Sequence, residues 1–157
     1  MVLLPLVLAA ASLAVPFVSQ HEDTCGAASL TMVMRYWGED VAQEDVVRAL
    51  VHPELRGIAG SRLAEFARNR GFEAVAFRGD MAHLREFVGK GRPLIVAWHL
   101  RGSLYHDVVV IGFDDKRRAV LVNDPAAGAS RGVGVDRFEK RWAGAGYWTL
   151  LVTRKVP

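Results

Sequence analysis

The chain has 157 residues, 51% of them hydrophobic and 24% charged, which excludes a disordered protein and suffices for one domain with its own core. A net charge of +3 leaves a small basic surplus, but Arg48, Arg56, Arg62, Arg68, Arg70 and Arg78 are scattered and lack an aromatic-basic pattern, so no nucleic-acid partner is expected. A single cysteine excludes an internal disulfide and a multi-cysteine zinc site.

The opening stretch MVLLPLVLAAASLAV carries no charged side chain. Small residues at Ala9 and Ala11, or at Ser12 and Ala14, fit a signal-peptidase site, although no basic residue precedes the apolar run. It is short for a membrane span, which needs about 20 apolar residues. Residues 1–14 therefore read as a signal peptide or an apolar N-terminal segment, and residues 15–157 as the folded domain. Export to the periplasm, the medium or the membrane surface is the favoured location, and the cytoplasm is the alternative.

VPFVSQ reads as extended, with Pro16 opposing a helix. Asp23 and Thr24 are good helix N-caps, and CGAASLTMVMRYW places Ala27, Leu30, Met34 and Trp37 at helical spacing before Gly38. AQEDVVRALVH reads as a second helix stopped by Pro53. SRLAEFARNRG reads as a third, with Leu63, Phe66 and Ala67 inward. FEAVAFR alternates like a strand, and DMAHLREFVGKG is a short helix. RPLIVAWHL, HDVVVIGFDD and RAVLVND are strands rich in valine and isoleucine. DRFEKRWAGAG is a brief helix, and YWTLLVTRK a last strand. Helices first and strands later predict an α+β fold, a helical half packed on an antiparallel sheet with a cleft between them.

Cys25 falls where the first helix begins. Unpaired N–H groups and the positive end of the helix dipole stabilise negative charge on a sulfur there. Gly26 removes a side chain beside the sulfur and lets a substrate backbone approach. A lone cysteine ahead of a small-residue helix is also a common buried filler.

A nucleophilic cysteine needs a base. Of the five histidines, His52 and His83 read as surface residues and His21 lies on the loop of Gln20, whereas His99 and His106 stand at strand ends that can reach a cleft. HDVVVIGFDDKRRAVLVNDP reads as a hairpin turning in DDKR. If the turn is centred near Asp115, facing residues have numbers that sum to about 230. His106 then meets Asp124, which could accept the Nδ1 hydrogen and leave Nε2 free for the sulfur. Asp124 equally fits a simpler role, opening the turn NDPAAG. Gln20, five residues before the cysteine, is placed to add a side-chain donor to the Cys25 N–H and hold an oxyanion. Trp98, His99, Tyr105 and Trp148 fit either a cleft wall or the core.

VPFVSQHEDTCGAASLTMVMRYWG, followed by HDVVVIGFDD and LVNDPAAG, resembles the bacteriocin-processing or double-glycine cysteine peptidases of the papain-like superfamily. The resemblance runs from about Val15 to the end of the chain. It implies a papain-like fold with Cys25 as nucleophile, His106 as general base, Asp124 as the acid that orients it, and Gln20 as oxyanion donor. It implies a peptide or protein substrate cut after small residues, an association with an export system or membrane, and no metal or organic cofactor. In the best-known members an ABC transporter follows in the same polypeptide. None is read here, so the resemblance carries the thiol chemistry rather than a particular leader substrate. A catalytically silent peptide-binding module, or an acyltransferase or amidase built on the same Cys–His pair, are the alternatives.

Overall fold

The computed structural model describes residues 12–50 and 60–155. The apolar run up to Ala11, and His52 with the Pro53 helix stop, lie outside the described residues. Helices α1 (Cys25–Tyr36), α2 (Gln43–Leu50) and α3 (Gly60–Asn69) come first, then β1 (Phe72–Arg78) and α4 (Met81–Gly89). Strands β2 (Leu94–Arg101), β3 (Leu104–Asp114), β4 (Ala119–Asp124) and β5 (Gly128–Gly134) follow, and α5 (Val135–Gly144) and β6 (Trp148–Arg154) complete the chain. The six strands form one antiparallel sheet in the order β1-β6-β2-β3-β4-β5. The fold is α+β, with the cysteine at the head of the first helix.

Strand alternation divides the interior in two. Val109 and Ile111 of β3 face one side, with Ile95 of β2, Leu30 and Met34 of α1, Val46 of α2 and Leu63 of α3. Val108 and Val110 face the other, with Val96 and Trp98 of β2, Leu84 of α4, and Phe138 and Trp142 of α5. Both faces of the central strands are therefore covered, which is why HDVVVIGF reads as an unbroken apolar run. The helical half is where the element order puts it, and α4 and α5 add a layer on the opposite face.

The last strand pairs β1 with β6 and brings the chain's far end beside its middle. β5 has no counterpart in the elements read from the sequence. GASRGVG holds three glycines, little β propensity and no alternation, and it is exposed along most of its length. Pairing with β4 makes it an edge strand.

Candidate active site

α1 begins at Cys25 against the start of β3. Thr24 occupies the N-cap position but does not cap with its side chain. Its hydroxyl donates instead to the His21 carbonyl at 2.8 Å and to Gln43 Oε1 at 3.2 Å. The first turn also holds no acidic residue, so the helix's positive end is not neutralised from within α1. Cys25 is partly buried, and its Sγ accepts the Asp107 backbone N–H at 3.4 Å.

β3 starts at Leu104, two residues earlier than the sequence suggests, so His106 lies inside the strand and pairs with Trp98 of β2. On the other side the hairpin register pairs Val109 with Asn123 and Val110 with Val122, and a bulge follows before Gly112 pairs with Leu121. Continuing the Val109–Asn123 pairing sets Asp124 opposite Val108 rather than His106, because the turn falls later than Asp115, so the carboxylate meets the ring diagonally and His106 Nε2 donates to Asp124 Oδ1 at 2.7 Å. The ring orientation reverses the expectation. Nε2 is the nitrogen held by the carboxylate, which leaves Nδ1 as the nitrogen free for the sulfur.

Both partners are largely covered, with 11% of the His106 and 15% of the Asp124 side chain exposed. Burial disfavours the charged imidazole, but hydrogen bonds to Asp124 and Cys25 and the charges of both outweigh it, and the His106 pKa rises from 6.5 to about 9. Asp124 responds in the opposite sense. Burial pushes its pKa up, but the His106 hydrogen bond and charge and the Ala126 and Ala127 N–H groups bring it below the ordinary value. The Ala126 N–H donates to the same Oδ1 at 2.9 Å, so Asp124 both opens the turn and holds the ring.

Gln20 is tied to this corner through its backbone. Its N–H donates to the Pro125 carbonyl at 2.9 Å, one residue beyond Asp124. Its side-chain Oε1 is buried with no hydrogen-bond partner among the described residues. The loop from Ser19 to Thr24 is organised by Gln43, a residue that reading the sequence passed over. Its Nε2 donates to the Ser19 carbonyl at 2.9 Å, and its Oε1 accepts the His21 N–H at 3.2 Å as well as the Thr24 hydroxyl. The signal was present, since Gln43 stands on the buried stripe of α2 with Val46 and Leu50, where a polar side chain needs partners.

The other described histidines are engaged elsewhere. His21 Nε2 meets Glu44 at 2.9 Å, His83 sits in the first turn of α4 under the Asp80 cap, and His99 Nε2 contacts the Gly102 carbonyl at 2.8 Å. Trp98 is a core residue, 6.3 Å from the His106 ring between centroids, and Trp148 packs on Gly60. Tyr105 is exposed.

A cysteine, a charged imidazole and a carboxylate in sequence, at the junction of a helix N-terminus and a sheet, form an arrangement suited to nucleophilic acyl chemistry. The model of the Peptidase_C39 like family matches residues 12–149, which include Gln20, Cys25, His106 and Asp124. The chain belongs to that family. This C39-like domain is 30% identical over 129 residues to the transport/processing ATP-binding protein ComA of Streptococcus pneumoniae, a match covering 82% of the chain and 17% of ComA. The chain thus spans less than a fifth of that relative's length. Among solved structures, it resembles a double glycine motif protease from an AMS/PCAT transporter in complex with the leader peptide, with TM-score 0.74 and 28% identity over 92% of this chain and 94% of that one. A putative C39-like peptidase from Bacillus anthracis shares the fold at TM-score 0.74, with 19% identity over 94% of this chain and 100% of that one.

Proposed function

We propose that the protein is a thiol peptidase that hydrolyses peptide bonds through Cys25, His106, Asp124 and Gln20. The observation that carries this reading is the His106–Asp124 hydrogen bond on the hairpin that packs against the helix-terminal Cys25, whose sulfur accepts the N–H of the next residue, Asp107; His106 has its pKa raised to about 9 by Asp124 and Cys25. The Cys25 sulfur attacks the peptide carbonyl and forms a C–S bond, and the carbonyl electrons move onto oxygen. The Cys25 N–H and the Gln20 side-chain amide receive that oxyanion. Support for Gln20 is that its Oε1 is bonded to no described residue and its backbone is clamped beside Asp124. His106 gives its proton to the departing amine as the C–N bond breaks. It then takes a proton from water, which attacks the thioester and restores the free sulfur.

The solved relative that holds a leader peptide supports a peptide substrate, and we assign cleavage after small residues on the same ground. The apolar opening stretch supports work outside the cytoplasm, next to an export system.

The test is turnover of a peptide library by the protein and two variants. Cys25→Ala should abolish cleavage. Gln20→Ala should lower the rate by about 10²-fold or more, as loss of one oxyanion donor does. Full activity in Gln20→Ala would remove it from the mechanism. Products that carry an added amine in place of a free carboxylate would move the assignment to acyl transfer.

A further inference from the structure

Asp107 is a titratable group beside the nucleophile that the chemistry above does not use. Its backbone is committed at both ends. Its N–H donates to Cys25 Sγ at 3.4 Å, and its carbonyl accepts the Ser29 hydroxyl at 3.3 Å. These bonds fix β3 against α1, and strand alternation sends the Asp107 side chain to the face opposite His106. The carboxyl then occupies the space that Gly26 leaves. A Cβ on Gly26 would stand 2.8 Å from Asp107 Oδ2 and 3.2 Å from Leu63 Cδ1.

The carboxyl is therefore lodged next to the reacting sulfur, against the apolar Leu63 of α3. It makes no hydrogen bond or ion pair with any described residue, although every other polar group of Asp107 is bonded. It is not sealed either: Asp107 is partly buried, and its oxygens are not among the unpartnered polar atoms that are cut off from solvent. Burial raises its pKa to about 6 against the pull of His106, so the group is mostly ionised near neutrality. An unpaired carboxylate in such a place is costly, and a neutral side chain would serve β3 better unless something arrives to pair with it.

We propose that the Asp107 carboxylate is a specificity determinant that receives a cationic nitrogen of the substrate, from a lysine or arginine within about two residues of the scissile bond. The inference rests on the thiol peptidase reading and adds a charge requirement to it. A substrate cation reaching this carboxyl beside Gly26 supplies both the counter-charge and the donors that the protein withholds, in a spot where Leu63 limits screening by water. Asp107 acts on which peptide binds and leaves the bond-making steps to its neighbours.

The experiment compares paired quenched-fluorescence peptides that differ only by lysine against norleucine at each position flanking the scissile bond. The quantity read is the kcat/KM ratio of the two, for the protein and for Asp107→Asn, because a ratio is insensitive to a general loss of rate. The protein should prefer lysine at one position by about tenfold or more, and Asp107→Asn should bring that ratio close to one. The same pairs are titrated by fluorescence anisotropy against Cys25→Ala, with and without Asp107→Asn, where no turnover is needed. Preference for lysine at no position, or a preference that survives Asp107→Asn, overturns the proposal. Lysine-dependent binding without cleavage by the intact protein would leave Asp107 in its role and overturn the peptidase reading instead.

Discussion

At Asp124 a single oxygen accepts two hydrogens, from His106 Nε2 at 2.7 Å and from the Ala126 N–H at 2.9 Å. The turn therefore fixes the carboxylate before any imidazole is considered, and the hairpin delivers the ring to it. This coupling has a measurable sign. The folded-state pKa of His106 lies above its ordinary value, so its pairing stabilises the fold fully below about pH 6.5, and that contribution is lost as pH rises through about 9. If the charged ring is the active form, the alkaline limb of kcat/KM falls near pH 9. Asp124→Asn removes the charge and weakens the hydrogen bond but leaves the burial, which favours the neutral ring. The alkaline limb should move to lower pH in that variant, and the stability it loses relative to the parent should be largest below about pH 6.5. A limb that stays in place would separate Asp124 from the titration. Of the site's residues, the hairpin read from the sequence brought His106 and Asp124 near each other, but the turn lies beyond Asp115, so the two meet diagonally and not as the facing pair the expected register gave. Which ring nitrogen does which job was not legible, since it depends on how far the ring reaches across two strands. The use of the space over Gly26 was missed too: it reads as room for a substrate backbone, whereas the Asp107 carboxyl fills it.

At the scale of elements, β3 organises the molecule. It carries His106 and Asp107, contributes to both cores, and bulges between Val110 and Gly112. The segment that precedes the domain is docked on that bulge. Ser12 bridges to Gly112, the Leu13 N–H donates to the Ile111 carbonyl at 2.8 Å, and Leu13 packs against both cores. A signal peptidase that cut after Ala14 would remove these contacts, whereas a cut after Ala11 keeps them. If the opening stretch is removed on export, intact mass and N-terminal sequencing should therefore find Ser12 as the first residue. A mature chain beginning at Val15 would show that the Ser12–Leu13 contacts are dispensable. Long periodic elements such as α1, β3 and β6 were legible because their patterns are set by burial. β5 was not, because its glycines carry no pattern and its pairing is decided by β4. Gln43 was hidden for a related reason: its value lies in three partners on a loop that only the fold brings to it.

For the molecule as a whole, one sheet with helices on both faces holds the nucleophile and its base on different elements. α1 brings the sulfur from one layer, and the β3–β4 hairpin brings the imidazole and carboxylate from the sheet. The helices-then-strands order announced the α+β class. The second helical layer was less visible, since α4 and α5 are short and lie between strands in the chain. The central claim is that these layers meet to make an activated Cys–His pair. It is tested most directly by the pH dependence of Cys25 alkylation with iodoacetamide, in the intact protein and in His106→Ala. Alkylation should already be fast at about pH 6 to 7 and slow by about tenfold or more when His106 is removed. Alkylation that rises only near pH 8.5, as for an ordinary thiol, and is the same in His106→Ala would contradict it.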